Sequence, residues 1–302
     1  SGNDFVTATT DGMTLASGNN TVDLGAGNDT ATLGAGNDWV FAGSVADTIS
    51  TDGGSDAAVF GGELGIEDDV DLGTGNDFLY TSAGTVDADY TNVDSAENLI
   101  LQTAGVTVLG AQAQQAGIVT ITGTGGNDNI NASTFTSNLT FFPGMGSDTL
   151  VSGSGDDTFN FNGDGAWDDS DIVTAGTGLD TINSTGSIHI DSANATGIDV
   201  MNFFSNSLGD AIYIHNLSAL NADENGTLVL NAGALGSDDY FELIPTLWGV
   251  SPAYQLDVTG GAGGDYIEAG LNDDIVRAGA GNDTVLGLAG NDDIHLGAGD
   301  DY

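Results

Sequence analysis

The chain has 302 residues, of which 48 are Gly, 3 are Pro and none is Cys. Its 45 acidic residues, 39 of them Asp, face a single basic residue, Arg277, and the formal net charge at pH 7 is -44. This composition excludes lysine-dependent phosphate loops, thiol chemistry and disulfides, and it leaves no basic surface for nucleic acid. No apolar run approaches the roughly 18 residues of a membrane span. Because self-repulsion opposes compaction, we expect divalent cations to neutralise the chain.

A nine-residue repeat begins at Leu24 with the units LGAGNDTAT and LGAGNDWVF, and it is cleanest over residues 261–302. Each unit is a Gly-rich turn that ends in Asp, followed by about three residues with an apolar one at the centre. The short segment is expected to be a strand that points one side chain inward, and two units would form one coil. The central apolar residues include Val40, Ile49, Leu79, Leu150, Phe159, Ile182, Ile267, Val276, Val285 and Ile294.

The turns are the candidate metal sites. Gly permits positive φ, which lets backbone carbonyls turn toward one point, and Asp adds a carboxylate oxygen of the kind that calcium needs. The candidate Asp ligands are Asp29, Asp38, Asp47, Asp56, Asp68, Asp77, Asp148, Asp157, Asp171, Asp180, Asp265, Asp274, Asp283, Asp292 and Asp301. The candidate turn glycines are Gly25, Gly27, Gly34, Gly36, Gly144, Gly146, Gly153, Gly155, Gly261, Gly263, Gly279, Gly281, Gly290, Gly297 and Gly299.

These units resemble the repeats-in-toxin (RTX) nonapeptide, G-G-x-G-x-D-x-U-x, and are most similar to those of RTX-containing bacterial surface-layer proteins. The resemblance implies an all-β fold, a right-handed parallel β-roll or β-helix solenoid with calcium ions in the turns, interrupted here by calcium-free rungs. It also implies type I secretion and an extracellular location on the bacterial cell surface.

Several turns depart from the repeat and are expected to bind calcium weakly or not at all. Asn20 replaces the carboxylate, while Val45, Asp52 and Asn272 each stand where a turn Gly is expected. Two isolated turns, which lack an Asp in the same phase 18 residues away, end at Asp4 and Asp128.

The repeat divides the chain into five parts. In the two calcium-free parts, alternating apolar residues predict short strands. Residues 184–256 either continue the solenoid or form a protruding contact module around Trp248, and 109–118 has the composition for one or two helical turns. The five parts are an N-terminal roll (1–84), calcium-free rungs (85–122), a middle roll (123–183), a calcium-free region (184–256) and a C-terminal roll (257–302).

The sequence gives no reason to expect an enzyme. The three histidines, His189, His215 and His295, are far apart and lack metal-ligand spacing, and no catalytic motif is present. Paired acids such as Asp68 and Asp69 are expected by chance in a chain with 39 Asp residues.

We therefore expect a secreted structural protein that folds in calcium and self-assembles on a bacterial cell surface as a layer, sheath or filament. Both chain ends fall inside turns and the last coil looks uncapped, which favours polymerisation or continuation. Its expected partners are calcium and its own copies, with a cell-surface polysaccharide as a further candidate. The alternatives are an adhesin segment that binds a surface or glycan, and the non-catalytic part of an exported enzyme. Outward aromatic residues that could bind carbohydrate or a neighbouring subunit are Trp39, Phe41, Phe78 and Tyr80.

Overall fold

The chain folds into short strands that return to the same sheet once per coil. Two compact units are present, Ser1–Pro143 (unit 1) and Gly144–Tyr302 (unit 2). Asp4 and Trp248 lie outside the described residues. The computed structural model describes residues 5–7, 13–15, 17–43, 45–61, 64–190, 195–207, 209–215, 226–245 and 254–302.

Unit 1 is built from parallel sheets in which most strands pair with the strand two or three places along the chain. Its sheets have the orders β1-β3-β5-β8-β11-β13-β15-β17, β2-β4-β6-β9-β12, β7-β10 and β14-β16. The strands are β1 (Phe5–Thr7), β2 (Met13–Thr14), β3 (Thr21–Asp23), β4 (Thr30–Thr32), β5 (Trp39–Phe41), β6 (Thr48–Ser50), β7 (Gly53–Gly54), β8 (Ala57–Val59), β9 (Asp69–Asp71), β10 (Thr74–Gly75), β11 (Phe78–Thr81), β12 (Val93–Asp94), β13 (Asn98–Leu101), β14 (Val106–Val108), β15 (Thr120–Thr122), β16 (Asn129–Asn131) and β17 (Thr140–Phe142). The helical segments are a 3-10 turn (Asp87–Tyr90) and α1 (Ala111–Gln115).

Unit 2 repeats this architecture with longer strands. Its sheets have the orders β19-β21-β24-β26-β28-β30-β32, β18-β20-β23 and β22-β25-β27-β29-β31. The strands are β18 (Thr149–Val151), β19 (Thr158–Asn162), β20 (Ile172–Thr174), β21 (Thr181–Thr185), β22 (Ile188–Ile190), β23 (Ala195–Thr196), β24 (Val200–Phe204), β25 (Ala211–His215), β26 (Thr227–Asn231), β27 (Tyr240–Ile244), β28 (Gln255–Thr259), β29 (Tyr266–Gly270), β30 (Ile275–Ala280), β31 (Thr284–Leu288) and β32 (Asp293–Ala298).

The core of each unit is a stack of the central apolar residues. Val22 pairs in register with Val40, and Val40 with Ala58, so successive coils place apolar side chains above one another. Burial of these stacked side chains stabilises the fold through the hydrophobic effect. The predicted inward residues that are buried are Val40, Ile49, Leu79, Leu150, Phe159, Ile182, Ile267 and Val276.

Two predicted inward residues are not buried. Val285 is half-buried and Ile294 is 37% exposed. They lie on β31 and β32, which are the edge strands of their sheets, so only one neighbouring coil covers each of them.

The sequence expectation of an all-β parallel solenoid is confirmed. Strands of 85–122 and the described strands of 184–256 pair in parallel with their neighbours, so the calcium-free segments continue the sheets. The expected helical turns of 109–118 form α1. The boundary between the two units, at Pro143, falls inside the stretch 123–183 that the repeat groups together.

Candidate metal centres in the turns

The turn Asp residues form a ladder along the solenoid. The backbone N–H of Asp38 donates to Oδ1 of Asp56 at 2.8 Å, and the N–H of Asp56 donates to Oδ1 of Asp77 at 2.7 Å. In unit 2 the same bond joins Asp157 to Asp180 at 2.8 Å. One oxygen of each carboxylate is thereby fixed to the preceding coil, and the other faces the space between the turns.

For eight of these residues the second oxygen is buried and accepts no hydrogen bond. Asp38, Asp56, Asp77 and Asp180 have no exposed surface at all. Burying an ionised carboxylate without a partner is costly, so each of these groups must either be protonated or be paired with a cation. The eight residues are Asp29, Asp38, Asp47, Asp56, Asp77, Asp180, Asp274 and Asp283.

The pKa values of the buried turn Asp residues show the same cost. Burial raises the pKa of Asp180 to about 7, and the negative charges of Asp157 and Asp199 add to the shift. Burial likewise raises the pKa of Asp47 and of Asp77 to about 6. A divalent cation beside these carboxylates would favour the ionised form and reverse the shift.

Backbone carbonyls would supply further oxygens to a bound cation. Gly25 and Gly27, before Asp29, have φ of +85° and +131°. A Cβ added at Gly43 would overlap the carbonyl oxygen of Gly25 in the preceding coil, so that oxygen faces the space between the coils. Of the predicted turn glycines, positive φ occurs at Gly25, Gly27, Gly36, Gly144, Gly146, Gly279, Gly281, Gly290, Gly297 and Gly299. Positive φ is not found at Gly34, Gly153, Gly155, Gly261 and Gly263.

This set of donors fits calcium. Among the described residues, nowhere do three or more His, Asp or Glu side chains converge on one point. A turn can therefore offer only one or two carboxylates together with carbonyls, an all-oxygen set that suits calcium and not the transition metals that prefer imidazole or thiolate.

Not every predicted ligand has a carboxylate oxygen left for a cation. Oδ1 of Asp171 accepts the N–H of Asp148 at 2.8 Å, and Oδ2 accepts the N–H of Asp168, within its own turn, at 2.8 Å. We call such turns self-capped. Asp68 and Asp265 also end self-capped turns. The carboxylate of Asp68 accepts the N–H groups of Asp47 and Gly65, and that of Asp265 accepts those of Phe241 and Gly261.

Asp210 shows the strongest form of self-capping. Its carboxylate accepts bonds from the N–H groups of Asn206 (2.7 Å) and Ser207 (3.1 Å) and from the Ser207 hydroxyl (2.9 Å). Burial opposes its ionisation, but these donors together outweigh burial and lower its pKa. Asp180 and Asp210 end comparable turns with opposite pKa shifts, because Asp210 is reached by several donors of its own turn and is less affected by burial. A single donor of the same turn does not offset burial at Asp171 and Asp265, whose pKa values are raised to about 6.

The remaining predicted ligands take other places in the ladder. Oδ1 of Asp292 accepts the N–H of Asp274 at 3.0 Å, and Oδ1 of Asp301 accepts that of Asp283 at 3.1 Å. Both lie in the last coil and are half-buried. Asp148 and Asp157 are buried at turn ends in unit 2.

The atypical turns keep the ladder by different means. Asn20 donates both its backbone N–H and its amide to Oδ1 of Asp38. Val45 adopts φ of +74°, as a turn Gly would. The Asn272 side-chain amide donates to the carbonyl oxygen of Tyr254 in the preceding coil. Asp52 is exposed. Asp128, expected to be a weak site, is self-capped by Thr124.

The sequence analysis missed several ladder residues, among them Glu97, Asp199 and Asp239. Glu97 accepts the N–H of Asp77 at 2.9 Å, and Asp199 accepts that of Asp180 at 2.7 Å. Glu97 and Asp199 follow their partners after 20 and 19 residues, not 18, so these two residues fall outside the phase of the repeat. A signal was available, because each lies in one of two similar segments, NVDSAENLIL and GIDVMNFF.

The outer faces carry aromatic and imidazole rings. The rings of His189 and His215 lie 5.8 Å apart, although the two residues are distant in the sequence. His215 Nε2 lies 2.9 Å from Oε1 of Glu242. In unit 1, Trp39 is 41% exposed and its ring lies 5.5 Å from that of Tyr80, so this face has the outward aromatic residues expected.

Fold and turns together define a calcium-binding parallel β-solenoid. The model of the RTX calcium-binding nonapeptide repeat (4 copies) matches residues 16–49, 67–85, 115–135, 144–164, 257–285 and 269–302. The chain therefore carries RTX repeats, and the predicted resemblance to the RTX nonapeptide is confirmed. No curated protein matches the chain. In the part of the chain that the structure describes, no helix is long and apolar enough to cross a membrane.

Proposed function

We propose that this chain is a secreted, non-enzymatic structural protein that winds up in calcium and assembles with its own copies on a bacterial cell surface. The ladder of buried carboxylates carries the proposal. At low calcium, as in a cytoplasm, the charge of -44 and the unsatisfied carboxylates disfavour the solenoid, which leaves the chain unwound for export. Outside the cell, calcium at about 10⁻⁴ to 10⁻³ M would fill the turns.

Exposed side chains support assembly. Trp39 and Phe41 form an outward aromatic pair on unit 1, 41% and 39% exposed. Exposed acids such as Asp69 remain after the turns are filled, and calcium can bridge them to a neighbouring copy.

Electron microscopy of the purified chain, first in a calcium chelator and then in millimolar calcium, tests the proposal. Ordered sheets or filaments that form only with calcium are expected. Dispersed compact particles in calcium would contradict self-assembly by this chain. Trp39→Ala should weaken assembly and leave calcium-induced folding unchanged.

A second candidate is an adhesin that binds a neutral glycan, and one feature of unit 2 favours it. A groove of about 300 Å³ is lined by Gly165, Trp167, Asp168, Ser187, Ile188, His189, Ala211 and Tyr213. The rings of His189 and Tyr213 lie 5.4 Å apart along it, and Asp168 and Ser187 add polar groups. Aromatic rings beside hydrogen-bonding groups suit a sugar ring, and the acidic chain would repel an anionic one.

Binding of neutral hexasaccharides, such as chitohexaose and cellohexaose, distinguishes this candidate. Saturable binding that Tyr213→Ser abolishes and Tyr213→Phe retains would support it. Absence of binding, or binding that Tyr213→Ser does not change, would contradict it.

A further inference from the structure

We propose that unit 2 contains a calcium-independent section, in which the turns that end at Asp210, Asp239 and Asp265 are closed by their own N–H groups and bind no calcium. Calcium binding in this stack of turns would begin only one coil later, at Asp283. The inference rests on the calcium-dependent winding proposed above. The motif alone would predict a calcium site at Asp265, because the turn GGAGGD that ends there matches the nonapeptide in full.

Hydrogen bonds place these four residues in one region of successive turns. The N–H of Asp210 donates to Oδ1 of Asp239 at 2.9 Å, and the N–H of Asp265 donates to Oδ1 of Asp283 at 2.9 Å. Between them, Oδ1 of Asp265 accepts the N–H of Phe241 at 3.1 Å. Asp239, Asp265 and Asp283 therefore each use one carboxylate oxygen to join the coil before. The second oxygen decides what the turn can bind.

In the first three turns that second oxygen is taken by a donor of the same turn. Oδ2 of Asp239 accepts the N–H of Gly236 at 2.7 Å. Oδ2 of Asp265 accepts the N–H of Gly261 at 2.8 Å. Asp210 is held by Asn206 and Ser207 in the same way. A cation at any of these turns would have to displace an N–H group that already bonds the second carboxylate oxygen.

The turn at Asp283 differs in the state of its second carboxylate oxygen and in its backbone conformation. Oδ2 of Asp283 is buried, with 1% of the residue exposed, and accepts no hydrogen bond. Gly279 and Gly281 before it have φ of +117° and +124°, whereas Gly261 and Gly263 before Asp265 do not have positive φ. The backbone of the Asp265 turn thus points an N–H at its carboxylate, and the Asp283 turn does not.

Strands that follow self-capped turns should consequently stay wound without calcium. β25 follows Asp210 and β27 follows Asp239, and their central residues Ile212, Phe241 and Leu243 are fully buried. β31 follows Asp283 and needs calcium to neutralise its turn. The self-capped section would serve as a template on which the last coils wind when calcium arrives.

Asp265→Asn and Asp283→Asn are a matched pair that tests the assignment. Both remove one carboxylate from neighbouring turns of the same stack. Calcium bound per chain is counted by elemental analysis after equilibrium dialysis at fixed free calcium. We expect Asp283→Asn to lose at least one ion, or to raise the half-saturating calcium concentration of one ion at least tenfold, and Asp265→Asn to keep the count of the unaltered chain. Loss in both variants would overturn the assignment at Asp265, and loss in neither would overturn that at Asp283.

Hydrogen exchange on the unaltered chain tests the template without any substitution. In chelator, amides of β25 and β27 should remain protected while those of β31 and β32 exchange, and calcium should protect all four strands. Uniform exchange, or uniform protection, in chelator would overturn the proposal. Neither readout depends on polymer formation, so failure here is distinct from failure to assemble.

Discussion

The backbone N–H of Asp56 donates to Oδ1 of Asp77 at 2.7 Å, and Oδ2 of Asp77 is buried without a hydrogen-bond partner. The fold thus holds each such carboxylate in place with one bond and leaves its charge unbalanced. Coil closure and cation binding are coupled, because the coil that buries the carboxylate is also what brings the turns together.

Asp77→Asn should weaken calcium binding in unit 1. The substitution keeps an oxygen for the Asp56 N–H and removes the charge that holds the cation. We expect the calcium concentration at half-folding to rise several-fold. Asp69→Asn makes the same change of charge on an exposed strand position and should have little effect. Circular dichroism measures the calcium concentration at half-folding for each variant. An equal increase in both would show that only net charge matters.

Acid should partly replace calcium. The folded-state pKa values of Asp47 and Asp77 are about 6 and that of Asp180 is about 7, all above the ordinary Asp value of 3.8 that applies to the unfolded chain. Protonation is therefore favoured in the folded state, so the calcium-free solenoid is least stable above about pH 7 and gains stability as pH falls through this range toward 4.

Circular dichroism in chelator at pH 7.5 and at pH 4.5 measures this effect. Strand content should be higher at pH 4.5, and added calcium should then change it less than at pH 7.5. A strand signal that falls or stays constant on acidification would contradict the expected sign.

Val45→Gly should stabilise unit 1. Val45 is 58% exposed with φ of +74°, a conformation that is strained for a β-branched residue and free for Gly. We expect a gain of about 1 kcal/mol in the free energy of unfolding in calcium. Val106→Gly is the control, because Val106 is 55% exposed on a regular strand, and it should lose stability. Denaturant titration would refute the account if both variants were destabilised alike.

A row of hydrogen-bonded Asn side-chain amides, separate from the Asp ladder, should stabilise unit 2. The Asn183 amide donates to Oδ1 of Asn160 at 2.9 Å, and the Asn202 amide donates to Oδ1 of Asn183 at 2.9 Å. Asn183→Ala removes both bonds and should cost about 1 to 3 kcal/mol by thermal or denaturant unfolding. Thr185→Ala, on the same strand, corrects for lost β propensity. A cost no greater than that of Thr185→Ala would show that the row of amides contributes nothing.

The coil and its core could be predicted from the sequence because both depend on local spacing. Val40 is buried two places after Asp38 because a strand alternates its faces, and the same spacing buries the other central residues except those on the edge strands β31 and β32. The nine-residue phase likewise located the ladder, since two units make one coil.

What the sequence could not supply is the state of each carboxylate. The turns at Asp265 and Asp283 read almost alike, yet Gly261 donates to Asp265 and nothing comparable reaches Oδ2 of Asp283. The two turns differ in residue type only where Ala278 and Asn282 replace Gly260 and Gly264, and the motif does not specify the backbone φ values that separate them. The proximity of His189 and His215 was hidden too, because the coils that separate them in sequence have irregular length.

The most direct test of the account is a calcium titration of the chelator-treated chain, followed by far-ultraviolet circular dichroism, with magnesium as the matched control ion. We predict strand signal that appears cooperatively at about 10⁻⁴ to 10⁻³ M calcium and not with magnesium, which fits carbonyl-rich turns poorly. A full strand signal in chelator at pH 7.5, unchanged by calcium, would contradict the claim that the buried carboxylates of the turns require the cation.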